Sequence, residues 1–509
     1  MAIIDARALP DASHLEADLV IIGGGLAGIT LAKELAGSPL KIIVLESGGL
    51  EMEPETQALY AGSCVQKADG AKDRPLDNYP VQSRVRALGG SGHVWGGKCG
   101  PLDPADFAER PWIPNSGWPV TREQMQGYYD RACDLLEIDR FPLKRPTTTA
   151  EALQPLALDD EDGFFPAPRV FARISGRADK PAFDRFRTQF ADAPNITVYL
   201  YANVVRIRRE RNIVTGLEVA CLDGKRHTAK AARYVLATGG IENVRLLLAS
   251  DNLGNRHDLV GRFFQGHLTY SNDSETQREG SAFAASRAAP LDLYAPAQRI
   301  APHCVIGAGL AAQKRMQTGN FTATLFRANF SNTDPTIAAD TQTLGKAAAK
   351  LDRGQDQSNL LGFFAMTEHF PNPDSRITLD PDQRDALGTP RIRLTWVHGK
   401  RDFEDLERSI DGLANALGAS GEGRLCWSLR RDELLAASNA SRHHMGTTRM
   451  HRDPKKGVVD INGRLHEARN LYVAGSSVFP TSGIVNPTLT ILALTLRLAD
   501  HLKSEKKAA

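Results

Sequence analysis

No Cys-x-x-Cys pair occurs anywhere in the 509 residues. The six cysteines, Cys64, Cys99, Cys133, Cys221, Cys304 and Cys426, are scattered, and the closest two stand 34 positions apart. Zinc ribbons, c-type haem attachment and cysteine-ligated clusters therefore lose their signatures, and no metal site is expected. Thiols this sparse read as reduced and mostly buried. Charge of one sign is also missing: 62 Lys and Arg against 60 Asp and Glu leave a net +2, without the basic excess of a nucleic-acid-binding domain. Long apolar runs are absent too. The longest uncharged stretch near the start, Leu19 to Ala32, has 14 residues, is rich in glycine and is too short to span a bilayer. Met1 to Glu16 lacks the basic-then-apolar pattern of a signal peptide and any twin-arginine motif, so a cytoplasmic location is the expectation. No 20–50-residue repeat is found. With 42% hydrophobic and 24% charged residues, wholesale disorder is excluded.

What the chain does have is glycine in the right places. Asp18 to Ile22 is a short apolar run that reads as a buried parallel strand, and it ends in Gly23-x-Gly25-x-x-Gly28. Leu26 to Leu35 has helical spacing, Lys41 to Leu45 is a second buried strand, and Glu46 follows it. The order strand, glycine turn, helix, strand, acid is that of a dinucleotide-binding βαβ unit. Gly23 permits the tight turn, Gly25 lets the backbone approach a pyrophosphate, and Gly28 allows close packing of helix on strand. The helix N-terminus offers amides to the phosphates, and Glu46 can accept both ribose hydroxyls. On this motif alone, NAD and FAD both remain open.

A second glycine-rich segment runs from Gly89 to Gly100, after a polar stretch, Gly49 to Val81, that reads as irregular. Arg122 to Leu136 is a clear helix. Ile196 to Val219 reads as strands broken near Arg209 to Asn212, and Tyr234 to Ala237 as an apolar strand leading into a helix near Glu242 to Ala249. From about Gln265 to Leu435 the alternation of Arg376–Leu379 and Arg391–Thr395 suggests an antiparallel sheet. After Ser438 the βα style returns with Leu471 to Ala474 and a long apolar helix from Pro487 to about Leu502, and Lys503 to Ala509 reads as frayed. Length suggests about three units, but nucleotide-fold text recurs at both ends and in the middle. Two domains are therefore expected. One is an α/β Rossmann-like domain assembled from 15–105, 187–264 and 436–509. The other is an α+β substrate-binding domain, 265–435, with a mainly antiparallel sheet. Residues 106–186 are a connecting segment packed between the two.

Leu88-Gly-Gly-Ser-Gly-His-Val-Trp-Gly-Gly97, Ala237-Thr-Gly-Gly240 with Arg245-Leu-Leu-Leu248, Val260 to His267 and the stretch from His443 to Leu489 together resemble the glucose-methanol-choline flavoprotein oxidoreductases. They occur in the family's order over nearly the full length. His443-His-Met-Gly-Thr-Thr-Arg-Met450 and Asn486 to Thr490 look most like the branch of pyranose oxidase and bacterial sugar or glycoside dehydrogenases. The resemblance implies FAD, bound by Gly23, Gly25, Leu26, Ala27, Gly28, Glu46 and Ser47. Gly90, Ser91, Val94, Trp95 and Gly96 would run along the isoalloxazine and pyrophosphate, and Val204 along the adenine. Ala237, Thr238 and Gly239 would approach the nucleotide, with Gly475, Ser476, Pro487 and Thr488 toward the pyrophosphate, ribityl chain and flavin. Many sugar-branch members carry histidine at the position of Val94, where FAD can be attached covalently. Valine cannot form that bond and the ring of His93 should face elsewhere, so non-covalent FAD is expected. The family often has Asp where Gly475 stands.

The resemblance makes His443 the base and Asn486 its partner. A neutral imidazole suits removal of a hydroxyl proton near pH 7, and the Asn486 amide can hold the alcohol oxygen. Asn and Pro are also a favoured N-cap and first helical residue, so the helix after Asn486-Pro487 should aim its positive end at the flavin. His267 is read as part of the family's core motif and not of the site. His444 is expected to point away from His443, in a structural hydrogen bond. Glu368 and His369 could line the pocket, though a solvated or structural role is the expectation. Lys455 and Lys456 read as surface. The function expected is FAD-dependent oxidation of a secondary alcohol of a sugar or glycoside, by a small-molecule enzyme with no nucleic-acid partner and no membrane span. Oxygen, a quinone or a partner protein would be the electron acceptor, and a homo-oligomer is possible. The alternatives are another alcohol, aromatic or aliphatic, and a flavoprotein lyase. The pocket is expected to come largely from 265–435.

Overall fold

A computed structural model describes residues 3–69, 72–141, 156, 158, 163–172, 174–177, 179–271, 282–285, 303–327, 360–427 and 441–505. Two eight-stranded sheets and a four-stranded sheet organise it. The first sheet runs Ile3–Asp5, Ile196–Leu200, Ile42–Leu45, His14–Ile22, Arg226–Leu236, Ile213–Ala220, Asn203–Glu210, and Leu471–Val473 also pairs with Arg226–Leu236. Leu19 to Ile22 and Ile42 to Leu45 are fully buried, which is why these strands are continuous apolar runs and not alternating ones. Their pairing is parallel and in register at one end: Leu45 opposes Ile22, Ile22 opposes Leu236, and Leu236 opposes Val473. The carboxyl ends of four adjacent strands therefore stop on one line. In an open α/β sheet that line is where ligands bind.

The second sheet is antiparallel throughout, in the order Gly423–Cys426, Ala282–Ala285, Leu360–Glu368, Phe321–Arg327, His303–Ala308, Phe164–Phe171, Lys98–Cys99, with His267–Ser271 also on Leu360–Glu368. The helix Lys400–Ala419 covers it. Phe403, Leu406, Ile410, Leu413 and Leu417 recur at steps of three and four and bury one face against Tyr270, Phe321 and Phe363. The segment expected as a connection thus contributes Phe164–Phe171 to this sheet.

The third sheet differs from the sequence reading. Arg376–Arg384 and Pro390–His398 are antiparallel as expected, but they do not join the large antiparallel sheet. Instead Pro390–His398 pairs in parallel with Gly62–Ala68, whose other edge takes Arg74–Pro75. That places two strands, with the helices Pro54–Ala58 and Tyr79–Gln82, inside the stretch read as irregular. The strand Gly62–Ala68 turns Cys64 and Gln66 inward, so it lacks an apolar alternation. Its ladder with Ile392 to His398 sustains it in place of intrinsic propensity. The last helix runs Thr488–Glu505, past the expected start of fraying at Lys503, while 506–509 lie outside the described residues. Among the described residues no helix is long and apolar enough to cross a membrane.

Candidate active site

The first βα turn shows why glycine is needed there. Gly23 has φ +103°, and a Cβ on it would sit 2.7 Å from the Ala237 carbonyl oxygen. A Cβ on Gly28 would sit 2.0 Å from the carbonyl oxygen of Gly23. Gly28 is thus the close-packing residue of helix Leu26–Glu34 on its strand. Every other residue expected at the site, from Gly23 and Glu46 through Val94, Val204 and Thr238 to Gly475, His443 and Asn486, lines one continuous cavity along the carboxyl edge of the parallel sheet. Glycines of that lining fit an extended cofactor: a Cβ on Gly96, Gly239 or Gly475 would meet no protein atom within 4 Å, so the backbone is bare toward the cavity. Glu46 ends its strand with Oε2 accepting from the Gly24 amide at 2.7 Å and Oε1 from the Gly48 amide at 2.8 Å. These bonds aim the carboxylate along the edge and leave lone pairs for ribose hydroxyls.

Several lining residues carry no motif and were not foreseen. Arg84 and Arg86 stack on the Tyr60 ring at 3.9 and 4.2 Å and grip the two oxygens of Glu242 at 2.9 and 3.0 Å, with Arg245 at 3.4 Å. Burial alone would raise the Glu242 carboxyl, but Arg245, Arg84 and Arg86 outweigh it and pull it down to about 2. The only sequence hint was position: Arg84-x-Arg86 runs into Gly89-Gly90, and Glu242 opens the helix after Gly239-Gly240.

At the far end of the cavity His443 Nε2 and Asn486 Nδ2 lie 3.2 Å apart. Asn486 immediately precedes Pro487 and the buried helix Thr488–Glu505, which is fixed in part by the Tyr129 to Thr490 hydroxyl contact at 2.8 Å. His443 is held by the next segments of chain. The Thr448 amide donates to the Ser477 carbonyl at 2.8 Å, and the Ser476 hydroxyl to the His444 carbonyl at 2.6 Å.

His267 does not line the cavity, yet it touches the candidate base from behind. Gln265 and Met445 form an antiparallel bridge, exchanging both amide–carbonyl bonds at 3.0 and 3.1 Å. Two residues further along each arm, that register sets His267 against His443, Nδ1 to Nδ1 at 2.9 Å. On its other side His267 Nε2 is 3.1 Å from the Gly483 carbonyl oxygen, an acceptor only. Nε2 therefore carries the proton and Nδ1 of His267 is a lone pair. His443 must then donate from Nδ1, which leaves its Nε2 unprotonated and facing the Asn486 amide donor. The base atom is thus chosen by a chain running from Gly483 through His267.

His444 also borders the cavity, but its ring is held by the hydrogen bond of a structural residue, as expected. Its Nε2 is 3.0 Å from the Tyr79 hydroxyl, which donates to the Ser441 carbonyl at 2.5 Å. Burial first, then the charges of Arg84, His443 and Arg442, push its imidazole down to about 3. The His93 ring points to the Leu88 carbonyl at 2.9 Å and packs edge-on against Phe183, away from the lining that Val94 joins. Glu368 and His369 are fully buried and do not line the cavity. Glu368 takes both guanidinium arms of Arg110 at 2.7 Å, and His369 Nε2 donates to the Val397 carbonyl at 2.9 Å. Among the described residues of 265–435, the stretch expected to supply most of the pocket, none lines the cavity. Residues 272–281, 286–302, 328–359 and 428–435 of that stretch lie outside the described residues.

Comparison with known proteins bears on this geometry. A family model described as FAD dependent oxidoreductase matches residues 18–269, and one described as GMC oxidoreductase matches 371–495. The chain is 24% identical to 2-methyl-1,2-propanediol dehydrogenase of Mycolicibacterium austroafricanum, over 96% of this chain and 95% of that one. It is 25% identical to the fructose dehydrogenase large subunit of Gluconobacter japonicus, over 97% and 99%. Its fold is like that of pyridoxine 4-oxidase from Mesorbium loti, with a TM-score of 0.59 at 18% identity over 96% and 99% of the two chains.

Proposed function

We propose, for a chain that belongs to the glucose-methanol-choline oxidoreductases and is an FAD-dependent oxidoreductase of alcohols, that it oxidises a secondary alcohol of a sugar or glycoside to the ketone with His443 as the base. The observation that carries this reading is the 3.2 Å pairing of His443 Nε2 with the Asn486 amide in the same cavity as the glycine turn and Glu46. FAD, when bound, supplies the two-electron acceptor for the hydride that leaves the carbinol carbon. His443 Nε2 takes the hydroxyl proton, so one proton and one hydride leave and a C=O bond forms. The proton that arrives makes His443 an imidazolium, and its Nδ1–H bond to His267 strengthens with that charge. The Asn486 amide holds the alcohol oxygen, and the helix start beside it places positive partial charge where negative charge builds.

The cofactor is held non-covalently in this reading. Val94 offers no nucleophile and His93 is engaged with Leu88. Acid precipitation should release the flavin into the supernatant, and flavin left in the pellet would contradict this. The relative named as a diol dehydrogenase favours a second reading, a non-sugar alcohol. Anaerobic flavin bleaching with mono- and diglycosides beside aliphatic and aromatic alcohols separates the two, and adding oxygen or a quinone afterwards identifies the acceptor. Bleaching by non-sugar alcohols alone would overturn the sugar reading.

A further inference from the structure

The cavity holds more positive charge than its own side chains neutralise. Its two acids are engaged, Glu46 by the Gly24 and Gly48 amides and Glu242 by Arg84, Arg86 and Arg245. Two further arginines of the lining, Arg177 and Arg442, are exposed. Among the described residues neither makes a hydrogen bond or an ion pair. Arg177 sits on the wall of the glycine loop: Ser175 Oγ donates to the Trp95 carbonyl at 2.7 Å, and Gly176 packs so closely on Gly92 that a Cβ would lie 2.4 Å from its carbonyl oxygen. That wall borders the cavity expected to hold the cofactor, so this guanidinium would be available to the anionic oxygens of its diphosphate. Arg442 is elsewhere, next in the chain to His443. Its turn is fixed by the Tyr79 hydroxyl on the Ser441 carbonyl at 2.5 Å and by the His443 amide on the Ser441 hydroxyl at 3.2 Å.

We propose that Arg442 is a specificity-determining residue that pairs with an anionic group, carboxylate or phosphate, carried by the alcohol substrate. A guanidinium presents a planar fork that matches such groups bidentately. Arg442 lines the same cavity as the base and is next to it in the chain. Among the described residues the neighbouring groups do not compete for it: Tyr79 bonds to Ser441 and His444, and burial holds His444 neutral. A neutral sugar leaves the guanidinium to water, and an amine-bearing one meets repulsion. This deepens the sugar-oxidation reading by naming an acidic substrate class, but its binding arm stands without that reading.

The test uses the FAD-loaded enzyme and two matched pairs, glucuronate with glucose and glycerate with glycerol, plus glucose 6-phosphate as the phosphate arm. Binding is read anaerobically from perturbation of the flavin spectrum and, where it occurs, from bleaching. The wild type should bind the anionic member of at least one pair, or the phosphate, about tenfold or more tightly than its neutral partner, less so as salt rises. Whichever anion is preferred identifies carboxylate or phosphate. Arg442→Met should erase the ratio and Arg442→Lys should keep part of it. Anion preference without bleaching would sink the sugar-oxidation reading and leave this one standing. Equal binding of neutral and anionic members, or a ratio unchanged in Arg442→Met, overturns the role of Arg442. Should Arg442→Met not load FAD, Arg442→Lys and the salt titration of the wild type decide it.

Discussion

His267 and His443 meet Nδ1 to Nδ1 at 2.9 Å, and the carbonyl of Gly483 on the far side of His267 decides which of the two carries the proton. His267 is a positioning residue: it fixes a tautomer without facing the cavity. His267→Leu should lower kcat about 10- to 100-fold, because His443 can then place its proton on either nitrogen. His267→Gln, which can still donate to Gly483 and accept from His443, should recover part of the loss. In the leucine variant the acid limb of kcat/KM should move to lower pH, since the His443 imidazolium loses an acceptor that favours the charged form. A fall in rate with an unmoved pH profile and no rescue by glutamine would make His267 merely structural.

That pairing also marks the limit of what the sequence could tell. The βαβ turn was legible because its glycines, apolar strands and acid act locally within 30 residues. The helix Arg122–Leu136 was legible from its own spacing and is started by a Thr121/Gln124 capping box. The reach of His267 to His443 was not, because it depends on an antiparallel register between segments 180 residues apart, Gln265 with Met445. Gly62–Ala68 was missed for a similar reason: its ladder partner lies at 392–398, and an inward Gln66 hides the alternation. Glu368 is a case where the structural role was expected but its partner was not legible, because Arg110, which takes it into the core, lies far away in sequence.

Arg110 and Glu368 are 1% and 0% exposed. Glu368→Ala would strand a guanidinium in the interior, and a loss of about 3–5 kcal/mol is expected, measured as a drop in Tm or in the midpoint of chemical unfolding. A changed KM with unchanged stability would return Glu368 to the pocket.

Stability should also depend on pH through His444. Burial and nearby cations hold its folded-state value at about 3, against about 6.5 in an unfolded chain. Below pH 6.5 the unfolded state binds a proton that the folded state refuses, so stability falls as pH drops toward 3, and above 6.5 the effect vanishes. At pH 5 this amounts to about 2 kcal/mol. His444→Gln, which can still donate to Tyr79, should lose less stability than the wild type between pH 7 and pH 5. Equal losses in both proteins would show that His444 is not held neutral.

The central claim is that His443 Nε2 removes the alcohol proton. Anaerobic stopped-flow reduction of the bound flavin in His443→Ala, with the best substrate found in the alcohol panel, tests it most directly. The rate constant should fall by about 10²- to 10⁴-fold while the protein retains FAD, because the glycine turn, Glu46 and the rest of the cradle are untouched. Flavin reduction within threefold of the wild-type rate would remove His443 from the chemistry.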